Sequence, residues 1–94
     1  MLGGLSSLKE VDTEIIDIVN SLKNNFENEN YKTELFDAIS YKSQVVNGTN
    51  FFIKVQTDKE FVHLKVYKKI KQSEPLNISN LEDKKSRDDE INYF

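Results

Sequence analysis

The chain contains no cysteine. Disulfides, thiolate nucleophiles and zinc–thiolate centres are excluded together, and the composition suits a reducing compartment. Proline occurs once, at Pro75, and glycine only at Gly3, Gly4 and Gly48. Two adjacent glycines in the opening segment and one alone do not make a glycine-rich phosphate loop. His63 is the single histidine, so any Ser–His or His–metal scheme has to pass through it. No apolar run approaches the roughly 20 residues of a membrane-spanning helix. The start, M-L-G-G-L-S-S-L-K, has neither a basic leader nor a long apolar core, so no signal peptide is expected. The formal net charge of -3 argues against a protein that tracks phosphates along nucleic acid. Lys68, Lys69 and Lys71 form one basic cluster, from which no basic face extends.

What is present is one domain's worth of chain, 94 residues with 37% apolar and 31% charged side chains. Residues 1–11 show no hydrophobic period and read as a mobile arm. Asp12 or Thr13 is a suitable helix cap, and Ile15, Ile16, Val19, Leu22 and Phe26 then recur at helical spacing. This predicts a helix over 13–29, ended by the asparagine-rich stretch 24–30, because asparagine prefers caps and turns. Alternation takes over afterwards. A first long strand reaches Val46, and Asn47-Gly48 predicts a type I′ turn with positive φ at both central residues. A second strand covers about 49–57, Asp58-Lys59 turns the chain, and a third covers about 60–70 with Val62, Leu64 and Val66 on one face. Residues 72–90 are polar apart from Leu76 and Ile78, and E-I-N-Y-F at 90–94 reads as a short final strand. One amphipathic helix packed on an antiparallel meander is an α+β architecture. The long first hairpin is also a segment that two copies can exchange; a monomer is expected, with that swap as its route to a dimer.

Catalytic readings find little support. His63 lies mid-strand opposite the Val62–Leu64 face, where a sheet-face hydrogen bond is the simpler expectation. Asp88, Asp89 and Glu90 read as a solvated loop end. The sequons at Asn47 and Asn77 are read as chance matches without a secretory signal. Three apolar points remain: Leu2 beside Gly3-Gly4, Val45-Val46 beside the hairpin tip, and Pro75-Leu76 in the late loop. In a meander the first and third inter-strand loops lie at one end of the sheet, and an arm leading into the helix can reach that end. Three apolar points on one edge make a wedge suited to a partner's cleft.

At these residues the sequence resembles the type 1 cystatins, or stefins, inhibitors of papain-like cysteine proteases. The resemblance rests on Gly3-Gly4, on Gln44-Val45-Val46-Asn47-Gly48, on Pro75-Leu76, and on the flanks Y-K-S-Q-V-V-N-G-T-N-F-F-I-K-V, F-V-H-L-K-V-Y and D-D-E-I-N-Y-F. It implies a five-stranded antiparallel sheet wrapped around the helix, with an added short strand near Glu10. It also implies reversible, tight-binding, non-covalent inhibition of cathepsin-type proteases, with neither catalysis nor cofactor. By carry-over, Leu2 and Gly3, with Gly4 as the alternative glycine, take the substrate side of the cleft. Gln44, Val45, Val46, Asn47 and Gly48 take the leaving-group side, and Pro75 and Leu76 add an outer contact. The implied location is cytoplasmic, although a processed secreted chain reads the same. The departure is Asn47, where the family usually has alanine; it motivates the alternative of a cystatin-fold binding module that does not inhibit.

Overall fold

The computed structural model describes residues 4–27, 31–71 and 75–94. Among them are one helix and five strands: β1 (Lys9–Glu10), α1 (Thr13–Phe26), β2 (Phe36–Val46), β3 (Gly48–Thr57), β4 (Phe61–Lys68) and β5 (Ile78–Lys85). The strands form one antiparallel sheet in the order β1-β2-β3-β4-β5. The expected α+β architecture, a helix against a five-stranded meander, is present, and the short strand expected near Glu10 is β1.

Asp12 caps α1 from extended backbone, its Oδ1 accepting the Ile15 N–H at 3.0 Å, with Glu14 in the first turn. Glu27 is extended, with ψ 145°, so the helix stops at Phe26 rather than running to 29. The buried stripe is Ile15, Ile18, Val19, Leu22 and Phe26; the expected Ile16 is 43% exposed and Ile18 takes its place. Both positions fit a 3.6-residue period, and only the seat of the helix on the sheet decides between them. The stripe meets Phe36, Tyr41, Phe51, Ile53, Val55, Val62, Leu64 and Val66 in one core.

Alternation in β2 is interrupted. Ala38 faces Val55 but Ser40 faces Lys54, leaving Ile39 as an extra residue. This bulge changes the parity of the strand, so Phe36 and Ala38 share the core side with Tyr41 instead of Ser40. Opposite the hairpin tip, Asp58 ends the sheet. Its carboxylate accepts the Glu34 and Leu35 N–H groups at 2.8 and 2.9 Å, and these bonds hold its pKa below the usual aspartate value.

The tip itself differs from the type I′ expectation. Val45 pairs with Thr49 and Val46 with Gly48, centring the reversal on Asn47. Positive φ is adopted at Gly48 (122°) and not at Asn47. A Cβ on Gly48 would stand 2.6 Å from the Lys68 carbonyl oxygen and 2.6 Å from the Tyr67 hydroxyl. Glycine is therefore required twice over, by its backbone conformation and by the approach of β4.

The last strand is also displaced from where the sequence placed it. β5 is Ile78–Lys85, and residues 86–94 form no strand. As the edge of the sheet with mostly exposed side chains, β5 reads as a polar loop. The E-I-N-Y-F tail covers the outer sheet face with side chains instead. Ile91 is buried, and the Tyr93 and Phe94 rings stand 5.7 and 5.5 Å from that of fully buried Phe52. Beside them the Lys54 ammonium donates to the Arg87 carbonyl at 2.6 Å. His63 lies on the same outer face, fully buried, with no hydrogen-bond partner on either ring nitrogen among the described residues. The expected sheet-face hydrogen bond is not formed. Burial, and then the charges of Lys54 and Lys85, push its pKa down to about 4, against weaker opposition from Glu82 and Asp89.

Two outcomes are expected. Because the folded state holds His63 neutral while the unfolded chain protonates near pH 6.5, stability falls as pH drops from about 6.5 towards 4. The loss by pH 4.5 is about 2–3 kcal/mol, and His63→Leu flattens this window in denaturant titrations. The Asp58 and Asp89 shifts act only below it, since those carboxylates protonate below the usual aspartate value. Separately, Gly48→Ala lowers unfolding stability by about 1–3 kcal/mol, the cost of a strained backbone position; an unchanged urea midpoint would refute the close approach.

Candidate functional site

The meander places two connections at one end of the sheet, the β2–β3 turn and the β4–β5 loop, with the Asp58–Lys59 turn at the other. Because β1 runs antiparallel to β2, the chain ahead of β1 also leads to the first end. The Ser6 N–H donates to the Ser43 carbonyl at 2.8 Å, and the Ser43 N–H donates to the Ser6 Oγ at 2.9 Å. Part of the arm expected over 1–11 is thus laid along β2, from Ser6 to Glu10. This anchor sits one residue before Gln44, so the segment leading to it emerges beside the hairpin tip. Leu2 and Gly3 lie outside the described residues. Gly4 is exposed, and an added Cβ there would meet nothing within 4 Å.

At the tip, Val45 is 65% exposed and Val46 half-buried. Gln44 is half-buried and tied across the hairpin, its Oε1 accepting from Asn50 Nδ2 at 3.0 Å. Asn47 is exposed, and its carbonyl accepts the Tyr67 hydroxyl, which links the turn to β4. Val45, Val46, Gly48, Thr49 and Phe51 line one depression together with Lys68–Lys71 and Glu14. Glu14 and Lys68 pair at 2.7 Å, joining the first turn of α1 to the end of β4. Both side chains are partly solvated, so the pair stabilises by no more than about 1 kcal/mol.

The second hairpin loop is arranged differently from the sequence expectation. Pro75 is exposed, but Leu76 is half-buried and packs on the core. The apolar side chain beside the first tip is Ile70, 70% exposed among Lys69 and Lys71. The sequence places Ile70 only as the last residue of the third strand, whereas β4 ends at Lys68. The available signal was an apolar residue set between lysines where the alternation of β4 stops. Tyr67 was missed as well, since nothing in V-Y-K-K announces a hydroxyl bonded to a turn two strands back in the chain.

His63 is enclosed beneath the tail, and among the described residues no group of histidine and acidic side chains is arranged to hold a metal ion. No helix of the described residues is long and apolar enough to cross a membrane. The candidate site is a partly apolar rim with a short basic flank.

Comparison with known proteins points the same way. The family model described as "Cystatin domain" matches residues 3–91. Cystatin-B of Macaca fuscata fuscata is 41% identical over 97 residues, covering 100% of this chain and 99% of that protein. Cystatin-B of Homo sapiens is 40% identical with the same coverage. Cystatin-A2 of Dictyostelium discoideum is 38% identical over 94 residues, covering 99% of this chain and 97% of that protein. A domain match over nearly the whole length and end-to-end alignment with these relatives lead to one conclusion: the chain belongs to the cystatin family of cysteine-protease inhibitors, on its type 1, or stefin, branch.

Proposed function

We propose that the chain is a reversible, tight-binding, non-covalent inhibitor of papain-like cysteine proteases of the cathepsin type, acting as a monomer in the cytoplasm. The observation that carries this reading is the shared end of the sheet, where the arm, the first hairpin tip and the β4–β5 loop converge. A groove that accepts an extended peptide admits such an edge. Leu2, Gly3 and Gly4 enter its substrate side, Gln44–Gly48 cover its leaving-group side, and Pro75 with Leu76 flank the latter. Ile70 joins them, because its exposed side chain lines the same depression as Val45, Val46 and Gly48.

Burying Val45, Val46 and Ile70 supplies roughly 5–9 kcal/mol gross, at about 1.5–3 for each side chain. Loss of rigid-body freedom costs about 4–15 kcal/mol. Side-chain burial by itself therefore leaves a weak complex. Tight binding requires backbone hydrogen bonds and little ordering on contact. The Gly48 approach, the Tyr67 bond and the Glu14–Lys68 pair support the second requirement, since each fixes the tip before a protease arrives. Non-covalent blockade also needs no nucleophile or leaving group in the inhibitor, consistent with a rim built from valine, isoleucine and backbone.

The alternative, a cystatin-fold module that binds without inhibiting, rests on the exposed Asn47 side chain in place of the family's alanine. Titration of papain with the protein and a fluorogenic peptide separates the two: the inhibitor brings hydrolysis to zero at stoichiometric addition, whereas the module leaves it undiminished at excess. Val45→Asp is expected to weaken inhibition by at least about tenfold, because a carboxylate must be desolvated in the cleft. Its thermal midpoint stays unchanged because Val45 is exposed in the free protein. Deletion of residues 1–4 is expected to accelerate dissociation, measured by displacement, with the fold intact; an unaltered off-rate excludes a contact by the arm.

A further inference from the structure

Asn47–Gly48 forms the hairpin tip, and no other asparagine in the chain precedes a glycine. We propose that Asn47–Gly48 is a site of self-modification, where the Gly48 peptide nitrogen attacks the Asn47 side-chain carbonyl and converts the tip asparagine to aspartate or isoaspartate.

The chemistry balances without a partner other than water. Gly48 loses its N–H proton, its nitrogen bonds to Asn47 Cγ, and ammonia leaves from that carbon, giving a five-membered imide. Water then opens either carbonyl of the imide. One opening gives aspartate; the other gives isoaspartate, with the backbone routed through the former side chain. The side chain of the following residue normally hinders the first step, and Gly48 has none. The exposed position of Asn47 leaves its amide in contact with water.

A second feature favours this site beyond the dipeptide itself. Removing the Gly48 proton places negative charge on the Asn47–Gly48 peptide group, most of it on the Asn47 carbonyl oxygen. That oxygen accepts the Tyr67 hydroxyl. A donor already aimed at the atom where charge develops stabilises the charged form. Tyr67 is thus a positioning residue for the conversion as well as a link between turn and β4. The consequence rests on the inhibitory reading above: conversion sets a carboxylate, or a lengthened backbone, in the rim that enters the protease cleft. The inhibitor then has a finite active lifetime set by its own tip.

The test is to age the purified chain in warm, mildly alkaline buffer and follow it by peptide mapping with an isoaspartate assay. Conversion at Asn47 ahead of every other asparagine supports the proposal; an intact Asn47, whether or not other asparagines convert, overturns it. In Tyr67→Phe the conversion is expected to be about two- to tenfold slower, the worth of one neutral hydrogen bond. An equal or faster rate removes Tyr67 from the scheme. Aged protein and the Asn47→Asp variant should both inhibit papain at least about tenfold more weakly than fresh protein. Equal inhibition by fully converted protein overturns the finite lifetime. Absence of inhibition by fresh protein would instead overturn the functional reading, leaving the map to judge the modification by itself.

Discussion

The close passage of Gly48 against the end of β4 is the contact on which the proposed protease-facing end of this protein depends. With no side chain and a φ that other residues rarely adopt, Gly48 lets the first hairpin reverse around Asn47 and press its turn onto Tyr67 and Lys68. That contact ties the tip of one hairpin to the strand that leads into the other loop. Lys68 is in turn paired with Glu14, so the first turn of the helix joins the same assembly. Rigidity at the rim follows from a backbone approach rather than from a large apolar interface.

The two faces of the sheet have separate tasks. The inner face supplies the core with α1, and the outer face is closed by the C-terminal segment through Ile91, Tyr93, Phe94 and the Arg87 carbonyl. Covering the outer face encloses His63, which has no hydrogen-bond partner among the described residues and whose pKa is lowered first by that burial. The rim lies at the end of the sheet, and Glu82, Lys54, Lys85 and Asp89, the charges acting on His63, belong to the outer-face cluster.

Much of this was legible in the sequence where a single period governs. β3 and β4 lie close to where the β-forming runs place them, but both are buried on the two faces, because the tail closes the outer one. The start of α1 follows from Asp12 and Glu14. The failures occur where tertiary contacts choose between equivalent local patterns. Ile16 and Ile18 both suit an amphipathic helix, and the sheet selects Ile18. The parity of β2 changes at Ile39, which no residue type announces. E-I-N-Y-F alternates as a strand would, but β4 already pairs with Ile78–Lys85, so the tail packs by its side chains. The position of the hairpin tip, with Val45 exposed beside it and glycine at position 48, was recognisable from the turn signature. Leu76 was overvalued as a free apolar point and Ile70 undervalued, because the course of a nine-residue connection is not encoded by local periodicity.

The claim at the centre of this account is that the protease meets the end of the sheet formed by the arm, the first tip and the start of the β4–β5 loop. Hydrogen exchange of the chain with and without saturating papain reads that claim directly. Added protection is expected at residues 4–8, 44–49 and 68–71, with exchange in 57–60 and 86–94 unchanged. Protection confined to the C-terminal segment or the Asp58 turn, with the tip exchanging as in the free protein, would contradict it.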